Sequence, residues 1–273
     1  MQQISVVIIC KNEADVIAET LQSFSGLTDD IIVYDNGSTD GTQQSVKSYP
    51  VHFHSGQWEG FGQTKNKANL LAKYDWILSL DADEAIDEEL KNNILRLDLN
   101  NDKIVYRLKF KNFLGDKWLR FGEWGNDKHI RVFNRKRVKW NDAVVHEELV
   151  FPQEFVVVQL SGFVLHKTVD NVIEYKKKMK NYAMMNADKY FKEGRKFSLL
   201  RFWLSPSISF VKNYFLKLGF LDGREGLISA GMTTKYTFLK YKRLRELWNV
   251  SASRTGREQG TSKMEYRTRN KEL

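Results

Sequence analysis

Along the first 90 residues, short β-branched apolar runs alternate with segments whose apolar residues recur at helical spacing. Ile4 to Cys10 is almost continuously apolar, the pattern of a strand buried on both faces of a parallel sheet. In Ala14 to Phe24, Val16, Ile17, Leu21 and Phe24 share one helical face. A second strand is predicted over Asp30 to Tyr34. It ends in the turn-forming run Asp35-Asn36-Gly37-Ser38-Thr39-Asp40-Gly41, after which a helix starts near Thr42. A third strand over Val51 to His54, a helix over Lys65 to Lys73 and a fourth strand over Trp76 to Leu80 follow, the last running straight into Asp81-Ala82-Asp83-Glu84. Repeated βα units of this kind predict an α/β fold with right-handed crossovers and a mostly parallel twisted sheet, whose ligands gather at the carboxyl ends of the strands. Both acidic turns, at Asp35 and at Asp81, fall at such ends.

From Lys103 the pattern changes to strand-like alternation rich in aromatic and basic residues, over Ile104 to Phe110, His129 to Asn134, Val138 to Trp140, Phe155 to Gln159 and Gly162 to His166. These segments predict an antiparallel extension of the sheet that covers the site. After Thr168 the chain turns helical, with Val172, Tyr175, Met179 and Tyr182 as one apolar stripe, and Phe197 to Phe220 is dense in Phe, Trp, Leu and Ile. Residues 251–273 are polar, charged and poor in aromatics, the composition of a disordered tail. The expected organisation is a sheet-containing α/β domain over 1–168, a helical annex over 169–250 and a tail over 251–273.

At 273 residues and 42% hydrophobic content the chain has enough apolar material for a real core. Its single cysteine, Cys10, sits in an apolar run and reads as a buried hydrophobe in a reducing compartment. The longest stretch without Asp, Glu, Lys or Arg is Phe155 to His166, shorter than the roughly 20 apolar residues of a membrane span. The N-terminal residues lack a basic segment and a small-residue cleavage pattern, so they read as the first structural element rather than a signal peptide. Charge is unevenly placed. Residues 1–169 hold 20 basic and 24 acidic side chains, residues 170–273 hold 23 and 10. An acidic working half and a basic docking half follow, and an anionic membrane surface or nucleic acid would suit the basic half.

Asp81-Ala82-Asp83 is the most informative local feature. Two carboxylates at i and i+2 on a strand end can both approach one hard divalent cation, Mg²⁺ or Mn²⁺, and a metal held by few protein ligands keeps positions open for substrate phosphates. The bland account is an acidic turn capping the next helix, since Asp81 to Glu89 holds six acids. Asn12-Glu13 after the first strand and Asp35 after the second favour the site, because in a doubly wound sheet those ends are neighbours and can read a base and a ribose.

Ser5 to Glu13, Asp35 to Thr42 and Leu80-Asp81-Ala82-Asp83-Glu84, in this order and spacing, resemble the family 2 glycosyltransferases, inverting enzymes of the GT-A fold. Ile130 to Arg135, Val145-His146-Glu147, Gly162 to His166, and Gly219 to Gly223 with Lys240-Tyr241 further resemble the bacterial subgroup that adds a β-linked glucose to the lipopolysaccharide inner core. The resemblance implies that Asn12, Glu13 and Asp35 hold the uracil and ribose of a UDP-sugar, with Lys65 near the nucleotide. It further implies that Asp81 touches the ribose or sugar beside the metal and that Asp83 holds the metal, to which His166 is a candidate third ligand. An inverting transfer also needs a general base for the acceptor hydroxyl. Glu147 is favoured and Asp127 competes, because the acidic pair at Glu147 departs from the family's common Glu-Asp. His52, His54 and His129 are read as structural.

The expected function is a metal-assisted, inverting hexosyltransferase moving glucose from UDP-glucose onto a saccharide or lipid-linked saccharide acceptor of the lipopolysaccharide core. The alternative within the class is transfer to another surface polysaccharide or glycolipid. The expected location is cytoplasmic, peripheral on the inner face of the cytoplasmic membrane. A nucleic-acid-binding protein is disfavoured, since the positive charge avoids the half carrying the acidic site. A nucleotidyltransferase would be expected to carry a glycine-rich basic loop where Cys10-Lys11-Asn12-Glu13 stands.

Overall fold

The computed structural model describes residues 1–142 and 147–269, the last eighteen of these as backbone only. The chain divides into two compact units, Met1–Trp118 with Asn126–Thr168, and Leu119–Gly125 with the chain from Val169 onward.

The first unit is a mixed α/β body. Its parallel part is formed by β1 (Ile4–Cys10), β2 (Ile31–Asp35), β3 (His52–Ser55) and β4 (Trp76–Asp81), ordered β3-β2-β1-β4. Every residue of β1 is buried, as its unbroken apolar run requires of a central strand. Helices α1 (Ile17–Ser23), α2 (Thr42–Lys47) and α3 (Phe61–Leu70) are the crossovers. Two apolar clusters lie on opposite faces of the sheet, one around Ile8, Phe24, Leu78 and Leu108, the other around Ile9, Ile32, Ile77 and Phe133.

Beyond β4 the sheet continues through β8 (Lys128–Asn134), β6 (Ile104–Leu114), β11 (Val156–Val169) and β5 (Glu84–Ile86), with β7 (Lys117–Leu119) on β6. β8 runs antiparallel to β4 and to β6, and β11 antiparallel to β5, giving the expected antiparallel extension. β9 (Lys139–Trp140) and β10 (Leu149–Val150) form a separate hairpin-like pair. Phe155 to Gln159 and Gly162 to His166, predicted as two strands, form one. Gly162, at φ +86°, replaces the expected break: a Cβ there would lie 2.2 Å from the backbone nitrogen of Leu90 in α4 (Glu88–Leu95), so glycine lets the strand pass hard against that helix.

The second unit is helical: α5 (Val172–Lys192), α6 (Leu199–Val211) and α7 (Gly223–Arg269). Asp222, just before α7, accepts backbone N–H bonds from Arg120 and Phe121 at 3.2 and 2.9 Å, and Trp124 packs on Tyr175 at 5.0 Å between ring centroids. These contacts account for the Leu119–Gly125 excursion joining this unit. No helix among the described residues is long and apolar enough to cross a membrane. α7 extends past residue 250 into the segment whose composition predicts a tail. Because residues 251–273 lack the apolar content that offsets ordering entropy, their deletion is expected to leave the melting temperature within about 2 °C. A larger fall in a thermal melt would show that they pack.

Candidate active site

The register of β1 places Cys10 opposite Asp35 and Ile9 opposite Asp81, so the acidic ends of β2 and β4 flank the carboxyl end of β1. Around the β1–β2 end the loops are tied to each other. Asn12, in the left-handed region at φ 59°, accepts the Thr39 N–H at 2.8 Å and donates its own N–H to Ser38 Oγ at 2.9 Å. The Glu13 N–H goes to Thr42 Oγ1 at 2.8 Å. Asp35 is fully buried, and its carboxylate gathers the N–H groups of Gly37 and Ser38, the Ser38 hydroxyl and Gln43 Nε2. It thereby shapes the glycine-containing loop at the sheet edge.

A second group forms where β4 ends. Of the acids that the bland account assigns to capping, Asp87 caps α4 through a 2.9 Å bond from the Leu90 N–H, whereas Glu84 is a buried residue of β5. Glu84 Oε2 accepts the Asp81 N–H at 2.9 Å, and Oε1 pairs with Arg131 of β8 at 2.8 Å. Arg131 also reaches Asp81 at 3.5 Å. Lys65 of α3, 1% exposed, stands with its ammonium 2.9 Å from Asp81 and 2.8 Å from Glu147, and 4.9 Å from the centre of the Trp140 ring. Burial opposes ionisation of Asp81, but Lys65 and Arg131 outweigh it and hold its carboxyl well below the usual range. Burial pushes Glu84 up, against the attraction of Arg131 and with the repulsion of Asp81. Two cations thus bind three carboxylates in one buried patch, and removing either leaves charge uncompensated.

The third group extends from Asp83. His166, at the end of β11, has Nε2 3.3 Å from Asp83 Oδ2. Asn112 of β6 donates from Nδ2 to Asp127 Oδ2 at 2.9 Å and so presents Oδ1 to His166 Nδ1 at 2.7 Å. That arrangement makes Nδ1 the donor and directs Nε2 at the Asp83 carboxylate, an ion pair when the ring is protonated and an imidazole–carboxylate donor set for a cation when it is neutral. The pair therefore fits a divalent ion, with carboxylate and imidazole as protein ligands and remaining positions open. Among the described residues no cluster of three His, Cys, Asp or Glu is arranged to hold a metal, so further ligands would come from a substrate phosphate. Asp81 faces Lys65 and Arg131 instead. Asp127 has His129 Nε2 2.9 Å from its other oxygen. Burial raises its pKa, and the bonds from His129 and Asn112 lower it further, leaving it below the usual carboxylate range. His129, read from sequence as structural, is thus a partner of a candidate base.

Asn112 carried no signal in the sequence, since one amide in an alternating strand is ordinary. Asn112→Ala is expected to weaken Mn²⁺ binding about 10- to 100-fold, the usual effect of losing the group that orients a ligating histidine. Titration followed by electron paramagnetic resonance measures it, and unchanged affinity would contradict the orienting role.

Beside these groups lies a cleft of about 580 Å³ whose lining includes Arg107, Lys128, Arg131, Trp140, Glu147 and Phe151. Aromatic faces beside polar groups suit a saccharide, whose C–H faces pack while its hydroxyls hydrogen-bond. Glu147 lines the cleft. Asp127 is not in its lining. Val145 and His146, adjacent in sequence, lie outside the described residues.

Among solved structures, S. aureus TarS 1–349 in complex with UDP-GlcNAc aligns over 87% of this chain and 91% of that one, at 14% identity and a TM-score of 0.45. An uncharacterized glycosyltransferase of Rickettsia typhi is 30% identical over 258 residues, covering 90% of this chain and 88% of that protein. The lipopolysaccharide core biosynthesis glycosyltransferase LpsC of Rhizobium meliloti is 27% identical over 243 residues, covering 86% and 89%. The profile of Glycosyl transferase family 2 matches residues 5–147, the span from β1 through the three strand ends to Glu147. With more than half of its length so matched and a relative alike over nearly all of it, this chain belongs to glycosyl transferase family 2 and is a glycosyltransferase.

Proposed function

We propose that this glycosyltransferase moves a hexose, glucose from UDP-glucose, with inversion onto a saccharide acceptor of the lipopolysaccharide core at the cytoplasmic face of the membrane. The observation that carries the reading is a cleft lined by Arg131 and Glu147, the two residues through which the buried Lys65–Asp81–Arg131–Glu84 group reaches it. The likeness to LpsC supports the class of acceptor.

In this reading Asn12 and Glu13 meet the nucleoside, and Asp35 acts there through the loop whose amides it gathers. Asp81 fixes Lys65 and Arg131 beside the donor. Asp83 and His166 hold Mn²⁺ or Mg²⁺, which when bound neutralises the diphosphate as UDP leaves. Glu147 accepts the proton of the acceptor hydroxyl as that oxygen attacks the anomeric carbon from the face opposite the leaving UDP. Lys65, 2.8 Å away, keeps the Glu147 carboxylate anchored at the cleft wall. Trp140 and Phe151 offer the acceptor an apolar platform.

A donor screen that follows UDP or GDP release, with and without EDTA, tests the reading. The expected result is EDTA-sensitive UDP release from UDP-glucose that rises with a lipopolysaccharide core acceptor. Release from a GDP-sugar alone, or no response to any core acceptor, would overturn the donor or the acceptor assignment respectively.

A further inference from the structure

The α6 region of the second unit carries an apolar stripe that faces solvent. Leu200, Leu204, Ile208, Val211 and Phe215 follow one another at steps of three or four, so they line one side of the helix and of the wider turn, Lys212–Leu216, that continues it. All five are exposed, as are Leu199 and Trp203 beside them, the latter at 67%. The opposite side is spent on packing: Phe202 and Pro206 are buried, and Phe202 stacks near Phe238 of α7 at 5.1 Å. A surface helix would ordinarily present polar residues where this one presents leucine, isoleucine and tryptophan. A patch of that kind marks a surface that another phase or partner covers.

The charges around the stripe choose the occupant. Between residues 195 and 224 the basic side chains are Arg195, Lys196, Arg201, Lys212, Lys217 and Arg224, and the single acid is Asp222. Asp222 is 5% exposed and occupied by the Arg120 and Phe121 N–H groups, so it adds no negative charge to the surface. Arg195 is paired with Glu193, whereas Lys196, Arg201, Lys212, Lys217 and Arg224 make no ion pair among the described residues. An apolar stripe in a segment whose exposed charges between Glu193 and Glu225 are all basic complements an anionic lipid surface. The acyl boundary takes the leucines and the tryptophan, and the headgroup phosphates take the lysines and arginines. A second copy of the same stripe would set cations against cations.

We propose that α6 and the turn after it are the membrane-docking element of this protein, lying in the plane of an anionic bilayer with Leu200, Trp203, Leu204, Ile208 and Phe215 inserted. This names the surface behind the membrane-side acceptor in the reading above. Its failure is separable from failure of that reading, because vesicle binding requires neither donor nor acceptor.

The test is co-sedimentation of the full chain with phosphatidylcholine vesicles and with vesicles of equal parts phosphatidylcholine and phosphatidylglycerol. Binding to the anionic vesicles is expected to exceed binding to the neutral ones at least tenfold at low salt and to fall as salt rises. The double variant Trp203→Glu, Ile208→Glu changes two exposed positions and is expected to lose at least tenfold in binding with an unchanged melting curve and unchanged turnover on a soluble acceptor. The variant Lys212→Glu, Lys217→Glu is expected to lose the preference for anionic vesicles. Equal binding of the wild-type chain to both vesicles, or equal binding of wild type and the double variant, would overturn the proposal. So would concentration-dependent dimerisation that Trp203→Glu abolishes without vesicle binding, since the stripe would then be a contact between copies.

Discussion

Asp83→Asn is expected to abolish transfer without unfolding the protein. Asp83 lies in the turn between β4 and β5, and the bond that ties it to the fold runs from the Lys167 N–H to its backbone carbonyl at 3.1 Å, which the substitution leaves in place. Asparagine keeps the size of the side chain and removes the charge that faces His166. In the proposed mechanism this weakens the hold on the ion that offsets the diphosphate charge, an effect of several kcal/mol on the transition state, so transfer falls on the order of 10²-fold or more. Stability should change by no more than about 0.5 kcal/mol, as for other substitutions outside the core. UDP release and a thermal melt measure the two quantities. EDTA should silence the wild-type enzyme and have little left to remove in the variant. Full metal-dependent activity in Asp83→Asn would end the assignment of the metal to the Asp83–His166 pair.

Glu147→Gln is expected to lower the turnover number by about 10²-fold or more, the scale of general-base loss, while donor binding stays within about threefold. Position separates the two carboxylates. Glu147 lines the cleft and has Lys65 on one side, whereas both oxygens of Asp127 are engaged, one by Asn112 and one near His129. A carboxylate held that way supports its neighbours. Asp127→Asn is therefore expected to cost less in turnover, and what it costs should show in Mn²⁺ affinity, because one carboxylate oxygen becomes an NH2 donor and the Asn112–His166 alignment next to it is disturbed. Single-turnover rates and calorimetry with UDP and Mn²⁺ separate the two variants. The reverse ranking would make Asp127 the base and Glu147 an anchor for Lys65.

The residues that these two experiments probe differ in how far local sequence reveals them. Asp81 and Asp83 were legible because chemistry and local pattern coincide: two acids at the end of an apolar strand stand out against the run that precedes them. The place of Glu84 is not legible in the same way. Among six nearby acids nothing local separates a helix cap from a strand residue, and only the antiparallel pairing of β5 with β11, which sets Glu84 opposite His166, buries it and brings it to Arg131. Lys65 could be placed near the nucleotide by family resemblance, yet its burial between Asp81 and Glu147 depends on a partner 82 residues away.

The sequence by itself determined the elements and the class of fold. β1 was readable over its full extent, β2 and β4 to within a residue or so, and the switch from parallel to antiparallel strands near Lys103, because hydrophobic periodicity is a property of consecutive residues and burial repeats with the period of the element. The family resemblance was legible for the same reason, because each of its three motifs is a short run of consecutive residues at a strand end. The tertiary structure alone decided which charges share a site. The order β4-β8-β6-β11 sets Asp81, Arg131, Asn112 and His166 on successive strands, and the 2.7 Å bond between Asn112 and His166 spans 54 residues of chain. No window along the sequence contains such a contact, since it arises from the pairing of strands far apart in the chain. The same holds for α6: composition shows only that the segment is rich in leucine, isoleucine and tryptophan, and the packing of Phe202 and Pro206 on one side is what leaves the other side in solvent.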